Sequence, residues 1–538
     1  MRRTRAFSRS NARPRGRSRR TSTVDLERYR EIIPEWDAFM DAAGRPEPTV
    51  FRVRVGRHAP EALLKRLEDQ GFRTHALEGM PGFFQVDAAP YPLSMTLEHW
   101  AGWLYVQQAS TGVAAPALGP RPGERVLDLC SAPGGKTTHA AELMEETGCL
   151  VASDVSESRI RGLLGNAYRL GYTNLVVTAG DGREFPRGAL FDRVMVDAPC
   201  SGEGTLRRRG GRAPNQSPSF LGYVTRAQEG LLRRAVELTR PGGTILYVTC
   251  TFAPEENEAV VDRVLREGLV DLDPLNLPVS HAPGVTAWEG RTFDARLEGA
   301  ARIYPHHLDS GGLFLARLKK PGGGEAAPAT VAGNDAARPG AVGRDAGAAR
   351  GGSLAAAAWT PVPAVFPGEA AGEEEARELI ARAGEKLVED FGVDPHRLEG
   401  MGWVLRGGRL WVHTVDAWPL EAWEPGDWRP ISVGFRAMDF DTRGRPRPTN
   451  DLLRRLDADI RSGVVELDDA ELERLVGGEM LPSRDAPRGL VAFRWKDVVL
   501  GRGVSTAEGI RSEIPKARAA DLARLLRRQA EAADSTRG

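Results

Sequence analysis

The groups best suited to chemistry in this chain are two cysteines, three aspartates and a glycine turn. Cys200 lies in Asp197-Ala198-Pro199-Cys200-Ser201-Gly202 and Cys250 in Thr249-Cys250-Thr251, each just past a short apolar run. A thiol at such a strand end can be partly exposed with a lowered pKa, as a nucleophile requires. Cys149, at the start of a strand, reads instead as a small buried hydrophobe. Asp154 closes another apolar run 18 residues after Lys136, where a carboxylate can accept hydrogen bonds from two ribose hydroxyls. Asp181, in Gly180-Asp181-Gly182-Arg183, is placed to read an adenine amino group. Any one of these aspartates could be only a helix cap, but together they share the edge where parallel sheets bind ligands.

That edge needs elements to build it. Val126-Leu127-Asp128-Leu129 reads as a buried strand, Pro133-Gly134-Gly135 as a turn, and Thr137, Thr138, Ala140 and Leu143 as the start of a helix. A strand, a glycine turn and a helix N-terminus let backbone approach a ligand closely. The loop is neither GxGxxG nor a phosphate-binding GxxxxGK[ST], so alone it is also compatible with an ordinary turn. Further strands are expected at 150–153, 175–178, 193–196 and 244–249, with helices at 137–147, 156–170, 225–238 and 254–267. Such alternation predicts an α/β fold, a doubly wound Rossmann-like sheet with helices on both faces.

The chain has 538 residues, of which 41% are hydrophobic, enough for real cores. No apolar run approaches the roughly 18 residues that span a bilayer. The four cysteines never form CxxC, which argues against zinc or a disulfide scaffold and for a reducing cytoplasm. Charge totals are 73 against 73, yet residues 1–24 hold nine arginines and no acid, leaving −9 on the remainder. We read 1–24 as a disordered, phosphate-binding arm, with a transit peptide as the rival. Residues 25–110 read as a small α/β unit, 111–320 as the main sheet domain, 321–363 as a flexible Gly/Ala/Pro linker and 364–538 as a second folded region.

With these blocks in view, the sequence resembles the RsmB/RsmF (Nop/Sun) RNA cytosine-5 methyltransferases. The resemblance spans about 26–320 and rests on ordered motifs. They are Gln107-Gln108-Ala109-Ser110, the loop Cys130-Ser131-Ala132-Pro133-Gly134-Gly135-Lys136-Thr137, Asp181-Gly182-Arg183 and Asp197 through Gly204. Tyr247-Val248-Thr249-Cys250-Thr251, Glu255-Glu256-Asn257-Glu258, Arg302-Ile303-Tyr304-Pro305-His306 and Gly312-Leu313-Phe314-Leu315-Ala316 complete them. The C-terminal region is similar, more loosely, to the α+β PUA-like domain of RsmF-type members, through 500–503 and 514–518.

The resemblance implies methylation of cytosine at its 5-position in RNA, with S-adenosylmethionine as cofactor. It implies Cys250 as nucleophile, Cys200 for product release and Asp197 at the cytosine edge. DNA cytosine methyltransferases use their Pro-Cys cysteine, so spacing alone does not choose between the two. Cys130, Ser131, Ala132, Pro133, Gly134, Gly135, Lys136, Asp154, Asp181 and Asp197 are implied to line the cofactor site. Ribosomal RNA is the expected partner, with tRNA as the alternative, and the protein is expected to act as a cytoplasmic monomer. A non-catalytic RNA-binding factor keeping this fold is the other class, against which the intact Cys250, Cys200, Asp197 and glycine loop speak. Where the family carries an RxNxLK-like segment, this chain reads Phe51-Arg52-Val53-Arg54-Val55-Gly56-Arg57. The basic run Arg207-Arg208-Arg209 with Gly210-Gly211-Arg212 is expected to be an RNA-facing lip.

Overall fold

The computed structural model describes residues 26–56, 58–208, 217–322, 359–366, 369–419, 430–483 and 487–535. The arginine arm and most of the Gly/Ala/Pro linker lie outside them.

A four-stranded antiparallel sheet comes first, with β1 (Val50–Val53), β2 (Arg73–Ala76), β3 (Phe83–Ala88) and β4 (Leu104–Val106) in the order β2-β3-β1-β4. Helix Pro60–Asp69 starts on its proline and seats Leu63 and Leu67, one turn apart, in the core under Phe51 and Val53. In the sequence, β1 and the helix Pro60–Asp69 are legible, whereas the helical pattern at 26–42 resolves into a short turn at Glu27–Tyr29 and a helix at Trp36–Gly44. The other strands are short or lack a clean alternation.

The main sheet contains β5 (Arg125–Asp128), β6 (Cys149–Asp154), β7 (Leu175–Ala179), β8 (Phe191–Asp197) and β9 (Thr239–Thr249). These five run parallel in the order β7-β6-β5-β8-β9, and the strand Leu313–Lys319 adds antiparallel beside β9. Alternate residues enter two separate cores. Leu127, Val151, Val176 and Val194 face one, and Val126, Leu150, Val177 and Met195 face the other. A parallel sheet covered on both faces requires such continuous apolar runs. The expected helices form at Gly135–Leu143, Glu157–Leu170, Pro218–Leu238 and Glu258–Arg266. Ser156 caps the second by accepting from the Arg159 amide, and Gly171, at φ +77°, ends it.

Two corrections concern the C-terminal half. Residues 359–361, assigned to the linker on composition, form the strand Trp359–Pro361, paired with Ala417–Pro419. Residues 431–435, whose apolar run reads in sequence as one strand, belong to two strands broken at Gly434, whose φ is +57°. Pro430–Val433 leaves its own region to pair antiparallel with β7, completing the main sheet's far edge. Phe435–Phe440 instead joins the hairpin Gly402–Arg406 and Arg409–His413. The Gly407-Gly408 turn of that hairpin has the positive φ at both positions that such a turn demands.

The first and last parts of the chain also share one core. Leu97, Trp100 and Trp103 pack in the same cluster as Val465, Phe493, Trp495 and Leu522. Arg518 adds a hydrogen bond to the Trp100 carbonyl at 3.0 Å and stacks its guanidinium 4.1 Å from that indole ring. The units are consecutive in sequence but are not separate beads in space.

Candidate active site

The turn after β5 is held from both sides. Gly134 has φ +106°, and a Cβ there would lie 2.6 Å from the Leu163 side chain, so only glycine fits. Asp154, at the end of β6, is buried and accepts the Ala132 amide at 3.1 Å and the Ser156 amide at 2.9 Å. Ser131 donates its amide and hydroxyl to the Ser153 carbonyl at 2.9 and 3.0 Å. Thus Asp154 pins the loop to the neighbouring strand; Oδ2 is also paired with Arg159 Nη1 at 3.4 Å, and Oδ1 keeps a lone pair for another donor.

Asp128, which the sequence hides inside an apolar strand, is the buried anchor of this loop. One oxygen accepts the Cys130 amide at 3.2 Å; the other lies 2.7 Å from the Thr137 hydroxyl. That hydroxyl also lies 2.9 Å from the Ser131 carbonyl, and its single hydrogen serves only one of the two. A protonated Asp128 resolves the competition by donating to Thr137, which then donates to Ser131. Burial pushes the Asp128 pKa up to about 7, with Asp197 adding to the rise and the Thr137 and Cys130 hydrogen bonds opposing it.

The sign of the linkage follows. Between about pH 4 and 7 the folded state holds a proton that the unfolded chain has lost, so this group's contribution to stability falls as pH rises through that window. Asp128→Asn keeps the hydrogen bonds of the protonated acid without the titration. Thermal melts from pH 4 to 8 should show the variant matching wild type at the acid end. At pH 8 it should exceed wild type by on the order of a few kcal/mol.

Cys200 and Cys250 meet as the sequence suggests. Asp197 on β8 pairs in register with Val248 on β9, so the two strand ends are neighbours. The Sγ atoms are 3.1 Å apart, and both residues are partly exposed. The hydrogen bond from the Cys200 thiol draws Cys250 below the usual thiol range against the effect of burial, with Lys136 helping and Asp197 opposing. The same bond, with burial, pushes Cys200 well above that range. The Cys250 amide, donating to Cys200 Sγ at 3.3 Å, opposes the rise at Cys200, and Cys250 is the sulfur drawn toward ionisation.

Lys136 Nζ donates to Asp197 Oδ2 at 2.8 Å beside the sulfurs. Burial disfavours its charge, but Asp197 and Cys250 outweigh that and raise its pKa. Cys130 is raised by burial and by Asp128, Asp197 and Asp154, which leaves it a neutral thiol. Cys149 is buried in the sheet core, as expected. Asp181 caps the short turn Gly182–Glu184, and both its oxygens are gripped by the Arg183 side chain, which lowers its pKa. The adenine-reading position is thus already paired with its own neighbour.

The expected RNA-facing lip needs correction. Arg207 is buried, and donates to the carbonyls of Arg45, Pro46 and Ser310 and to Asp309 at 2.7–3.2 Å. It ties the loop after Cys200 to the chain before β1. Arg208 is exposed, while 209–212 lie outside the described residues.

Behind the sulfurs is a polar layer to which the sequence reading gave no roles. Glu203 accepts the Tyr29 hydroxyl at 2.8 Å, the Thr251 hydroxyl at 2.9 Å and the Phe252 amide at 3.0 Å. The Gly204 amide donates to the Cys250 carbonyl at 2.9 Å. A Cβ on Gly204 would lie 2.4 Å from the Gly312 carbonyl oxygen, so the two glycines let this loop close over Cys250. Glu258 and Arg302, both buried, form a two-pronged ion pair just beyond.

The parallel sheet, its glycine turn and the groups on one rim define a Rossmann-like methyltransferase. Residues 115–319 match the family described as 16S rRNA methyltransferase RsmB/F. The chain is 34% identical over 300 residues to the tRNA (cytosine(49)-C(5))-methyltransferase of Pyrococcus abyssi, covering 55% of this chain and 95% of that one. It is 28% identical over 505 residues to the ribosomal RNA small subunit methyltransferase F of Vibrio vulnificus, covering 91% and 96%. It is 34% identical over 321 residues to a 28S rRNA (cytosine-C(5))-methyltransferase of Mus musculus and spans only 40% of that protein's length. Among solved structures, a methyltransferase homologue from Pyrococcus horikoshii matches with 32% identity and a TM-score of 0.49, over 55% of this chain and 93% of that one. The chain belongs to the RsmB/F family of RNA methyltransferases.

Proposed function

We propose that the protein methylates cytosine at the 5-position in ribosomal RNA, using S-adenosylmethionine and a covalent link between Cys250 and the base. The observation that carries this reading is the 3.1 Å approach of two thiols beside the Lys136–Asp197 pair. The residues of the loop fit an adenosine-bearing cofactor. Gly134 and Gly135 leave the turn without side chains, and Asp154 and Asp181 end adjacent strands as acceptors. Bound along Cys130 to Lys136, Asp154, Asp181 and Asp197, S-adenosylmethionine supplies the electrophilic methyl group.

The chain's own residues do the rest. The Cys250 thiolate adds to C6 of cytosine, and the ring's electrons move to make C5 nucleophilic. Lys136 holds Asp197 by Oδ2, which leaves Oδ1 to accept from the exocyclic amino group and orient the ring. After methylation a base takes the C5 proton, that electron pair restores the C5–C6 double bond, and the C6–S pair returns to Cys250. Cys200, donating to the departing sulfur, makes it the better leaving group. A stacked base does not reach two strand ends, so the target is extruded or single-stranded.

One feature favours ribosomal RNA over tRNA. The small-subunit relative aligns with nine-tenths of this chain, including the C-terminal region, whereas the archaeal tRNA enzyme aligns with just over half. We assign the C-terminal region to RNA binding on the same grounds.

Cys200→Ala tests the release role. With radiolabelled S-adenosylmethionine and RNA carrying the site found by bisulfite sequencing, a protein–RNA adduct stable on a denaturing gel is expected. Turnover without adduct removes Cys200 from release.

A further inference from the structure

The dipeptide Glu256-Asn257 is fully buried immediately before helix Glu258–Arg266, where three consecutive acidic and amide side chains would read in sequence as a solvated helix start. Its side chains do not face water. They bond to the chain beside the two active-site cysteines. Asn257 Oδ1 accepts the Thr249 hydroxyl at 2.5 Å, and its Nδ2 donates to the Thr251 carbonyl at 3.0 Å, so it holds the residues flanking Cys250. Glu256 Oε2 accepts the Ser201 amide at 2.9 Å. The same oxygen receives Gln228 Nε2 at 3.0 Å, and that nitrogen also reaches the Pro199 carbonyl at 2.8 Å. Glu256 and Gln228 together therefore hold the residues flanking Cys200, and toward the Cys250 turn Glu256 makes only a long 3.4 Å contact, from the Thr251 hydroxyl to Oε1. The Tyr247 hydroxyl fixes the dipeptide itself by donating to the Glu256 carbonyl at 2.6 Å.

We infer that Glu256, with Gln228, and Asn257 are positioning residues that set the distance and aim of the two thiols, each acting on a different step of the reaction. The inference rests on the proposed roles of Cys250 in attack and Cys200 in release. Neither side chain touches a sulfur, so their effect passes through the backbone of the two cysteine-bearing turns. Both clamps come from adjacent residues of one buried segment, which makes the sulfur-to-sulfur geometry a property of that segment rather than of two independent loops. A reacting group displaced by about 1 Å loses on the order of a hundredfold in rate, so each clamp has a step-specific cost when removed.

The test compares Asn257→Ala and Glu256→Ala with Cys250→Ala and Cys200→Ala, in full-length protein on the bisulfite-identified RNA. Asn257→Ala is expected to slow adduct formation on the order of a hundredfold with no adduct accumulating, as a weaker form of Cys250→Ala. Glu256→Ala is expected to form adduct and release it slowly, as a weaker form of Cys200→Ala. Glu256→Gln keeps an oxygen to accept from Ser201 and should recover most of the release rate. A generally loosened fold would lower both steps together in both variants, and that result overturns the inference. If the two cysteine variants themselves fail to show opposite behaviour, the roles of Cys250 and Cys200 fall first.

A second measurement needs no RNA. Dibromobimane becomes fluorescent when both its arms alkylate neighbouring thiols. Wild type should give a bridged product at Cys200 and Cys250 that Cys250→Ala abolishes. Both clamp variants should reduce the bridging yield severalfold at matched cofactor affinity, and an unchanged yield also overturns the inference.

Discussion

Cys250→Ala should lose methyl transfer by on the order of 10⁴-fold or more while binding S-adenosylmethionine with wild-type affinity. Cytosine C5 is too weak a nucleophile to react unless a thiolate first adds at C6, and no other described side chain replaces that sulfur. The cofactor loop is held by Asp128, Asp154 and Ser153, none of which touches Cys250, so its binding geometry survives the change. Single-turnover methylation and isothermal titration with the cofactor read the two quantities separately. Near-normal turnover in this variant, with loss in Cys200→Ala, would move the nucleophile to Cys200. The asymmetry of the two thiols favours the first outcome, because their shared hydrogen bond draws Cys250 below the usual thiol range and pushes Cys200 above it.

Glu258→Ala should destabilise the fold by about 3–5 kcal/mol, the second large effect. Glu258 is 0% and Arg302 2% exposed, and Arg302 meets both carboxylate oxygens while also donating to the Phe252 carbonyl at 2.9 Å. Glu258 further accepts the Val285 amide at 3.0 Å. Removing the acid leaves a guanidinium in the core with no counter-charge, which is costlier than never having buried the pair. The double replacement Glu258→Leu with Arg302→Met should therefore recover much of the loss, and urea melts of wild type, Glu258→Leu, Arg302→Met and the double give the coupling directly. Equal destabilisation by the single and double changes would mean that the pair contributes packing alone.

The catalytic sheet was legible because its physics is local. Apolar runs of four to seven residues with helices between them leave few alternatives to a parallel sheet, and turn glycines mark its carboxyl edge. Cys200 and Cys250 could be paired in advance since both end strands of one such sheet. The supporting layer was opaque for the opposite reason. Glu203, Glu256, Asn257 and Glu258 are the residue types most often found in water, and only tertiary partners such as Tyr29, Gln228 and Arg302 make their burial tolerable. Asp128 was hidden within an apolar run, and nothing in its spacing says that it would be neutral. Arg207 was misread because a basic run suggests a surface, whereas long side chains with five donors also satisfy buried carbonyls. The pairing of Pro430–Val433 with β7 is a contact of very long sequence separation, and composition carries no trace of it.

That last pairing has a consequence for synthesis. The strand that finishes the sheet is translated about 250 residues after β7. At typical rates of about 5–20 residues per second, the open rim of β7 waits roughly 12–50 s on the ribosome before its partner exists. During that interval a row of unpaired amides and carbonyls beside Val176 and Val177 is available to any other extended chain. Nascent chains stalled between these two points carry that sticky rim for as long as they persist, so the order of the message sets how long this edge stays open.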